Sequence, residues 1–214
     1  MATGTKRLTR DERREETRER LLESAGRVFA RHGYQAASVD EVADEAGFST
    51  GALYSNFDGK EDLFLTVLER HIERQVSELS AAVAERRTVA DRARGGADHW
   101  MAFLEREPEL VLLFMEFWAF AVRNPEITPR FAARYAEARR AVSELIEAST
   151  RELGVELSLP AEQLAMAIDA LADGFALQKL ADPEAVPDDL FGTVLTLLLE
   201  GARRRAPEAR PAKI

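Results

Sequence analysis

An all-helical fold is predicted for this 214-residue chain by three features of its sequence. Apolar residues recur at helical spacing from Leu21 to Leu199, and no alternating run marks a strand. Capping residues, glycines and prolines divide the chain into about nine segments of helical length. Alanine, leucine, glutamate and arginine dominate the composition, a mixture that favours helix over strand. The expected architecture is an N-terminal three-helix domain with a helix-turn-helix, followed by a larger C-terminal helical domain.

The elements follow in order. Thr9-Arg10-Asp11-Glu12 matches a capping box and opens a long first helix. Its apolar stripe is Leu21, Leu22, Ala25, Val28 and Phe29, and it ends near His32-Gly33, where glycine can take a left-handed cap. Ser38-Val39-Asp40-Glu41 is a second capping box, opening a short helix with Val39, Val42, Ala43 and Ala46 inward and Gly47 as its stop. Phe48 plugs the turn, and Ser49 caps a third helix from Thr50 to about Phe57, with Leu53 and Phe57 inward. After Asp58-Gly59 a fourth helix runs from Lys60 to about Ala84.

Further helices are expected over Val89–Arg106 (with Gly95-Gly96 as a kink or break), from Pro108 to Asn124-Pro125, from Pro129 to Leu153, from Pro160 to Ala181, and from Asp188 or Asp189 to Arg205. The domain reading is a flexible basic tail over 1–14, a helix-turn-helix domain over 15–76, a helical domain over 77–206 and a disordered tail over 207–214.

Composition excludes several classes of function. With no cysteine, the chain has no disulfide framework, thiolate nucleophile or cysteine-based zinc site; this fits a reducing cytoplasm. Met1–Arg20 is polar and lacks the apolar core of a secretory signal. The longest apolar stretch, Leu110–Val122, is interrupted by Glu116 and falls short of the ~18 residues of a membrane span. His32, His71 and His99 are scattered, and no HExxH, GxSxG or phosphate-loop motif occurs. No catalytic residue, metal site or cofactor is therefore expected. The rival readings are an enzyme of unrecognised type and a helical binder or scaffold that does not use DNA.

Net charge is -9, which by itself argues weakly against a nucleic-acid partner. Its distribution argues otherwise. Residues 1–31 hold nine Lys/Arg against six acids, a net +3, so the remainder sums to -12. A basic arm on an acidic body suits local phosphate contact, as it suits a solvated arm of i,i+4 ion pairs.

The tight turn Gly47-Phe48-Ser49 makes the second and third helices cross steeply, as in a helix-turn-helix, whose second helix enters the major groove. Ser49, Thr50, Gly51, Ala52, Tyr54, Ser55 and Asn56 supply small hydrogen-bonding groups, close approach, a methyl and a phenol for that groove. Thr17, Arg18, Tyr34, Ser38 and Lys60 are placed for the phosphate backbone.

From about Glu15 to Val76 the sequence resembles the DNA-binding domain of the TetR family. The resemblance rests on Leu21-Leu22-Glu23-Ser24-Ala25-Gly26-Arg27-Val28-Phe29, His32-Gly33-Tyr34, Ser38-Val39-Asp40-Glu41-Val42-Ala43, Ala46-Gly47-Phe48-Ser49-Thr50-Gly51-Ala52-Leu53-Tyr54-Ser55-Asn56-Phe57 and Lys60-Glu61-Asp62-Leu63-Phe64. It implies a homodimeric regulator with two recognition helices in successive major grooves of a near-palindromic operator. The implied action is repression relieved by a small-molecule effector; activation is the alternative. Many relatives carry a basic residue at the place of Thr50 and an aromatic or histidine at those of Ser55 and Asn56. The small polar groups here shift base reading toward van der Waals and water-mediated contact.

Beyond about Arg87 the resemblance is one of helix layout. The last helix is apolar nearly all round (Val194, Leu195, Leu197, Leu198, Leu199), so it needs burial on two sides. With Leu164, Ile168, Leu171 and Phe175 of the preceding helix, Val194, Leu197 and Leu198 are expected to form a four-helix dimer interface. Trp100, Phe103, Phe114, Phe117, Trp118 and Tyr135 are the aromatic candidates for an effector site, with Asp173 and Gln178 as polar anchors; His99, Glu116 and Arg123 are further anchors. Such a site suits an apolar or aromatic ligand.

Overall fold

The computed structural model describes residues 9–204, in nine α-helices: α1 (Arg10–Ala36), α2 (Val39–Ala46), α3 (Thr50–Tyr54), α4 (Lys60–Ala84), α5 (Val89–Arg106), α6 (Pro108–Ala121), α7 (Thr128–Leu153), α8 (Ala161–Ala181) and α9 (Leu190–Gly201). Among the described residues the only β feature is an isolated antiparallel bridge between Leu157 and Arg203. None of the described helices is long and apolar enough to cross a membrane.

Local chemistry explains the helix ends. The Thr9 hydroxyl accepts from Glu12 N–H and the Glu12 carboxylate from Thr9 N–H, a closed capping box that holds the Glu12 carboxyl below its ordinary range. Residues 10–14, expected in a flexible tail, are therefore helical; residues 1–8 and the expected tail 207–214 lie outside the described residues. Ser38 caps α2 through Glu41 N–H, but the Glu41 carboxylate meets His32 Nε2 at 2.9 Å, so only one arm of that predicted box is seen. Gly47 closes α2 in the left-handed conformation (φ 74°, ψ 32°). Helix α3 stops at Tyr54, three residues early, because Asn56 and Phe57 turn their N–H groups back onto Leu53 C=O and Phe57 drops into the core. Helix α5 runs unbroken through Gly95-Gly96.

The chain forms two compact units. Among the described residues, the first comprises those up to 72 together with 109–134, and the second 73–108 together with those from 135 on. The expected boundary at residue 76 lies within α4, close to where the first unit ends; the difference is that α6 and the start of α7 pack with the N-terminal helices. The reason is aromatic. Phe117 of α6 is fully buried, stacked on Phe64 of α4 at 4.2 Å and edge-on to Tyr34 of α1 at 4.7 Å. Phe29, Leu53, Phe57 and Leu63 complete that core. Truncating a side chain placed like Phe117 costs ~3–5 kcal/mol.

In the second unit α5 packs chiefly against α9, with α8 beside both. Its described core includes Ile146, Ala161, Leu164, Ala165 and Ala202, flanked by Ile168, Leu198 and Leu199. Arg92 of α5 reaches Glu152 of α7 at 2.7 Å.

Candidate nucleic-acid interface

The segment Ser49–Asn56 is held from behind and open in front. Leu53 and Phe57 bury completely or nearly so, while Ser49, Gly51, Tyr54 and Ser55 are exposed and Thr50, Ala52 and Asn56 half-buried. Two arginines of α1 fix its position. Arg18 Nη1 donates to Asn56 C=O at 2.8 Å with its guanidinium 4.3 Å from the Phe57 ring; Arg20 Nη2 donates to Ala46 C=O at 2.8 Å, 4.7 Å from the Phe48 ring. The two carbonyls at the ends of α2 and the α3 turn thus receive charged donors.

Several predicted DNA contacts are already engaged within the chain. The Ser49 hydroxyl caps Ala52 N–H at 3.2 Å, and the Thr50 hydroxyl donates to Asp40 Oδ1 at 2.7 Å, tying the segment's first turn to α2. Ser55 Oγ donates to Ala52 C=O, and Asn56 Nδ2 bonds the same carbonyl and Ser55 Oγ, so both side chains fold back on their own turn. The Thr17 hydroxyl donates to Arg13 C=O. Ser38 is exposed and spends its hydroxyl on the α2 cap. Arg18, read from sequence as a phosphate ligand, braces α3.

Tyr34 departs furthest from its expected role. It is 2% exposed, its hydroxyl donates to Glu61 Oε1 at 3.2 Å, and burial holds that hydroxyl protonated well above the usual tyrosine range. It is a core residue and offers nothing to a phosphate. Lys60 Nζ donates to Gln35 C=O at 3.0 Å and lies 4.7 Å from the Tyr34 ring; desolvation lowers its pKa. Among the predicted contact residues described, Tyr54 stands 57% exposed.

The predicted effector residues divide between the units. Phe114, Phe117 and Trp118 belong to the first, where Phe117 is core, Phe114 packs 6.2 Å from Phe131 and Trp118 is exposed. Glu116, expected as a ligand anchor, instead binds backbone of α1. Trp100, Phe103, Tyr135, Asp173 and Gln178 belong to the second. There Trp100 Nε1 donates to Ala172 C=O at 3.3 Å and Tyr135 Oη to Asp173 Oδ2 at 3.2 Å, gathering both rings at the middle of α8. Phe103 is buried and Gln178 is exposed.

Sequence reasoning missed Asp169 and Arg139 in this group. Asp169 lies one turn before Asp173, a spacing that was there to be read. Arg139 Nε sits 3.9 Å from Asp169 Oδ2, with its guanidinium 5.2 Å from the Tyr135 ring. Burial, then repulsion from Asp173, pushes the Asp169 carboxyl up to about 6, against the pull of Arg139. Burial likewise raises Asp173. An aspartate raised in the folded state destabilises the fold once ionised. The cost is absent below pH ~4, where both states are protonated, and complete above about 6. The bound is ~3 kcal/mol at 1.36 kcal/mol per unit. Asp169→Asn is expected to stabilise the protein by ~1–3 kcal/mol at pH 8 and hardly at all at pH 4. Denaturant melts at the two pH values test this, and an equal gain at both would refute the assignment.

On α8 and α9, Leu164 is fully buried in the core of the second unit, so it is withdrawn from the predicted dimer face. Ile168, Leu171, Phe175, Val194 and Leu198 are half-buried, and Phe175 packs 5.0 Å from Phe191. Leu197 (68% exposed), Leu177 and Met166 are open to solvent. The last two are apolar positions that the predicted stripe did not include.

Comparison with known proteins identifies the family. Residues 21–67 match the family model described as bacterial regulatory proteins, tetR family, and residues 89–203 match that for the C-terminal domain of BetI-type transcriptional repressors. The chain is 34% identical over 152 residues to the transcriptional activator FasR of Mycolicibacterium smegmatis, covering 70% of this chain and 64% of FasR, just under two thirds of that relative. It is 26% identical over 166 residues to HdnoR, a nicotine-responsive transcriptional repressor of Paenarthrobacter nicotinovorans, covering 78% and 84% of the two chains. A transcriptional regulator from Saccharomonospora viridis, solved in complex with choline, shares the fold at a TM-score of 0.66 and 22% identity, covering 89% of this chain and 100% of that one.

Proposed function

Because this chain belongs to the TetR family, whose members are DNA-binding transcription regulators and not enzymes, we propose that it is a cytoplasmic homodimeric repressor, released from a near-palindromic operator by a small apolar or aromatic ligand. The observation that carries this reading is the Ser49–Asn56 segment, braced from behind by Leu53, Phe57 and Arg18 and open to solvent at Tyr54. Two such segments, one per subunit, suit successive major grooves. The net +3 of residues 1–31 supplies the phosphate attraction that the acidic body lacks. Support for pairing comes from α9, which buries Phe191 and Leu195 inward and leaves Leu197 outward. Release is a population shift: the ligand must prefer a form whose recognition segments are mis-spaced for DNA, at a typical coupling of ~1–3 kcal/mol.

The test is selection of bound duplexes from a random pool, followed by transcription from a promoter carrying the selected site. Lower transcription with protein than without supports repression. Higher transcription makes the chain an activator, as FasR is named. Failure to enrich any site from the pool, at low salt, rejects operator binding.

A second reading of the ligand is favoured by one observation. Asp169 and Asp173 lie half-buried beside the Tyr135 and Trp100 rings, with Arg139 drawing on Asp169 and the Tyr135 hydroxyl on Asp173. Carboxylates beside aromatic faces suit an organic cation. One relative is named for its response to nicotine, and one structural neighbour was solved with choline, both organic cations at neutral pH. Choline and nicotine are the probes. A raised unfolding midpoint with either, lost in Asp173→Asn, supports the cationic ligand; a response only to neutral aromatics returns the reading to the apolar class.

A further inference from the structure

Glu116 lies in the middle of α6, on the apolar stretch Leu110–Val122, where a carboxylate is costly unless it is bonded. Both of its oxygens are used. Oε1 accepts Gln35 N–H at 2.8 Å and Oε2 accepts Tyr34 N–H at 3.0 Å. These are successive amides of α1, and they are free to bond a side chain because Gly33 breaks the helix just before them (φ 73°, ψ 172°). A Cβ at residue 33 would stand 2.6 Å from Glu116 Oε2, so an alanine there would strain the backbone at φ 73° and push the carboxylate off its amides. Lys60 of α4 takes the Gln35 carbonyl, and Glu61 takes the Tyr34 hydroxyl. The corner 33–36 is thus gripped from α4 and α6, and it leads directly through Ala37 into the Ser38 cap of α2.

Helix α6 is also the insert of this unit. Along the chain it follows the stretch 73–108 and precedes 135–214, both of the second unit. It meets the α1 corner through the Glu116 carboxylate and through the Phe117 ring on Tyr34.

We propose that Glu116 is a positioning residue for operator binding: its carboxylate, bridging the Tyr34 and Gln35 amides, sets the α1 corner that aims the helix-turn-helix and makes that aim depend on α6. This rests on the operator-binding role above, and the two can fail separately. If the unmodified protein enriches no duplex, that role falls. If it binds and the variants below bind equally well, only the present inference falls.

The experiment measures affinity for a selected duplex over a range of salt, amide exchange of the 33–38 segment, and the unfolding midpoint, for Glu116→Gln, Gly33→Ala and their combination. A glutamine keeps the shape but turns an NH2 toward one of the two amides. Glu116→Gln is expected to lose protection at residues 34 and 35, with α4 unchanged, and to bind the duplex about tenfold more weakly. The salt slope should stay the same, because no phosphate contact is lost. Gly33→Ala is expected to weaken binding by more. The double variant should fall short of the product of the two effects, since both changes act on one bridge: the alanine Cβ pushes the side chain of residue 116 off the Tyr34 and Gln35 amides that the glutamine already fails to bond in full. Multiplicative effects, unchanged affinity despite lost protection, or a loss that merely follows a fall of the unfolding midpoint below the assay temperature would each overturn the proposal.

Discussion

Tyr54→Ala is expected to abolish specific operator binding and leave the fold intact. Tyr54 is 57% exposed, and removing an exposed side chain ordinarily changes stability by less than ~0.5 kcal/mol. Its loss at the duplex is of another order. A groove-facing phenol that packs on bases or bonds phosphate contributes ~1.5–3 kcal/mol per copy. A symmetric dimer loses it twice, which corresponds to a drop of ~10²–10⁴-fold in affinity. The neighbouring polar groups cannot compensate, because Thr50, Ser55 and Asn56 are bonded to Asp40, Ala52 and each other. Fluorescence anisotropy with a selected duplex, alongside a melting curve, measures both quantities. Wild-type affinity in the variant would show that the segment after Phe48 is not the reading element.

Leu197→Glu is the second large effect. Within one subunit Leu197 is 68% exposed, so a charge there disturbs nothing in the subunit's own core, where Leu195 and Phe191 do the packing. Across a two-fold interface the same charge would appear twice, facing apolar Leu and Val side chains with no partner, at a cost of several kcal/mol. The expected product is a folded monomer at micromolar concentration. It should bind a two-half-site duplex more than ~100-fold more weakly, since each half-site must then be held alone. Sedimentation and circular dichroism give the first result and anisotropy the second. A variant that still sediments as a dimer would remove α9 from the interface.

The helices were legible from sequence because their signals are local. Thr9, Ser38 and Ser49 each cap the helix that follows, and Gly47 ends α2 in the conformation only glycine takes easily. The helix-turn-helix was legible for the same reason: its turn residues, caps and inward apolar positions fall within twenty consecutive residues. The site was legible only in part. Sequence indicates that Tyr34, Asn56 and Arg18 carry donor groups; it does not say which donors the fold consumes.

What the sequence determined by itself was the set of helices, their order and the outward face of the third one, since periodicity and capping act within one or two turns. Tertiary structure alone decided that α6 packs into the N-terminal core, that Phe117 is core and not pocket, and that Glu116 binds the backbone of α1. Those outcomes depend on contacts between residues some eighty positions apart, as Glu116 is from Tyr34. A burial pattern names a buried face, but which face it meets is settled by the packing of the whole chain.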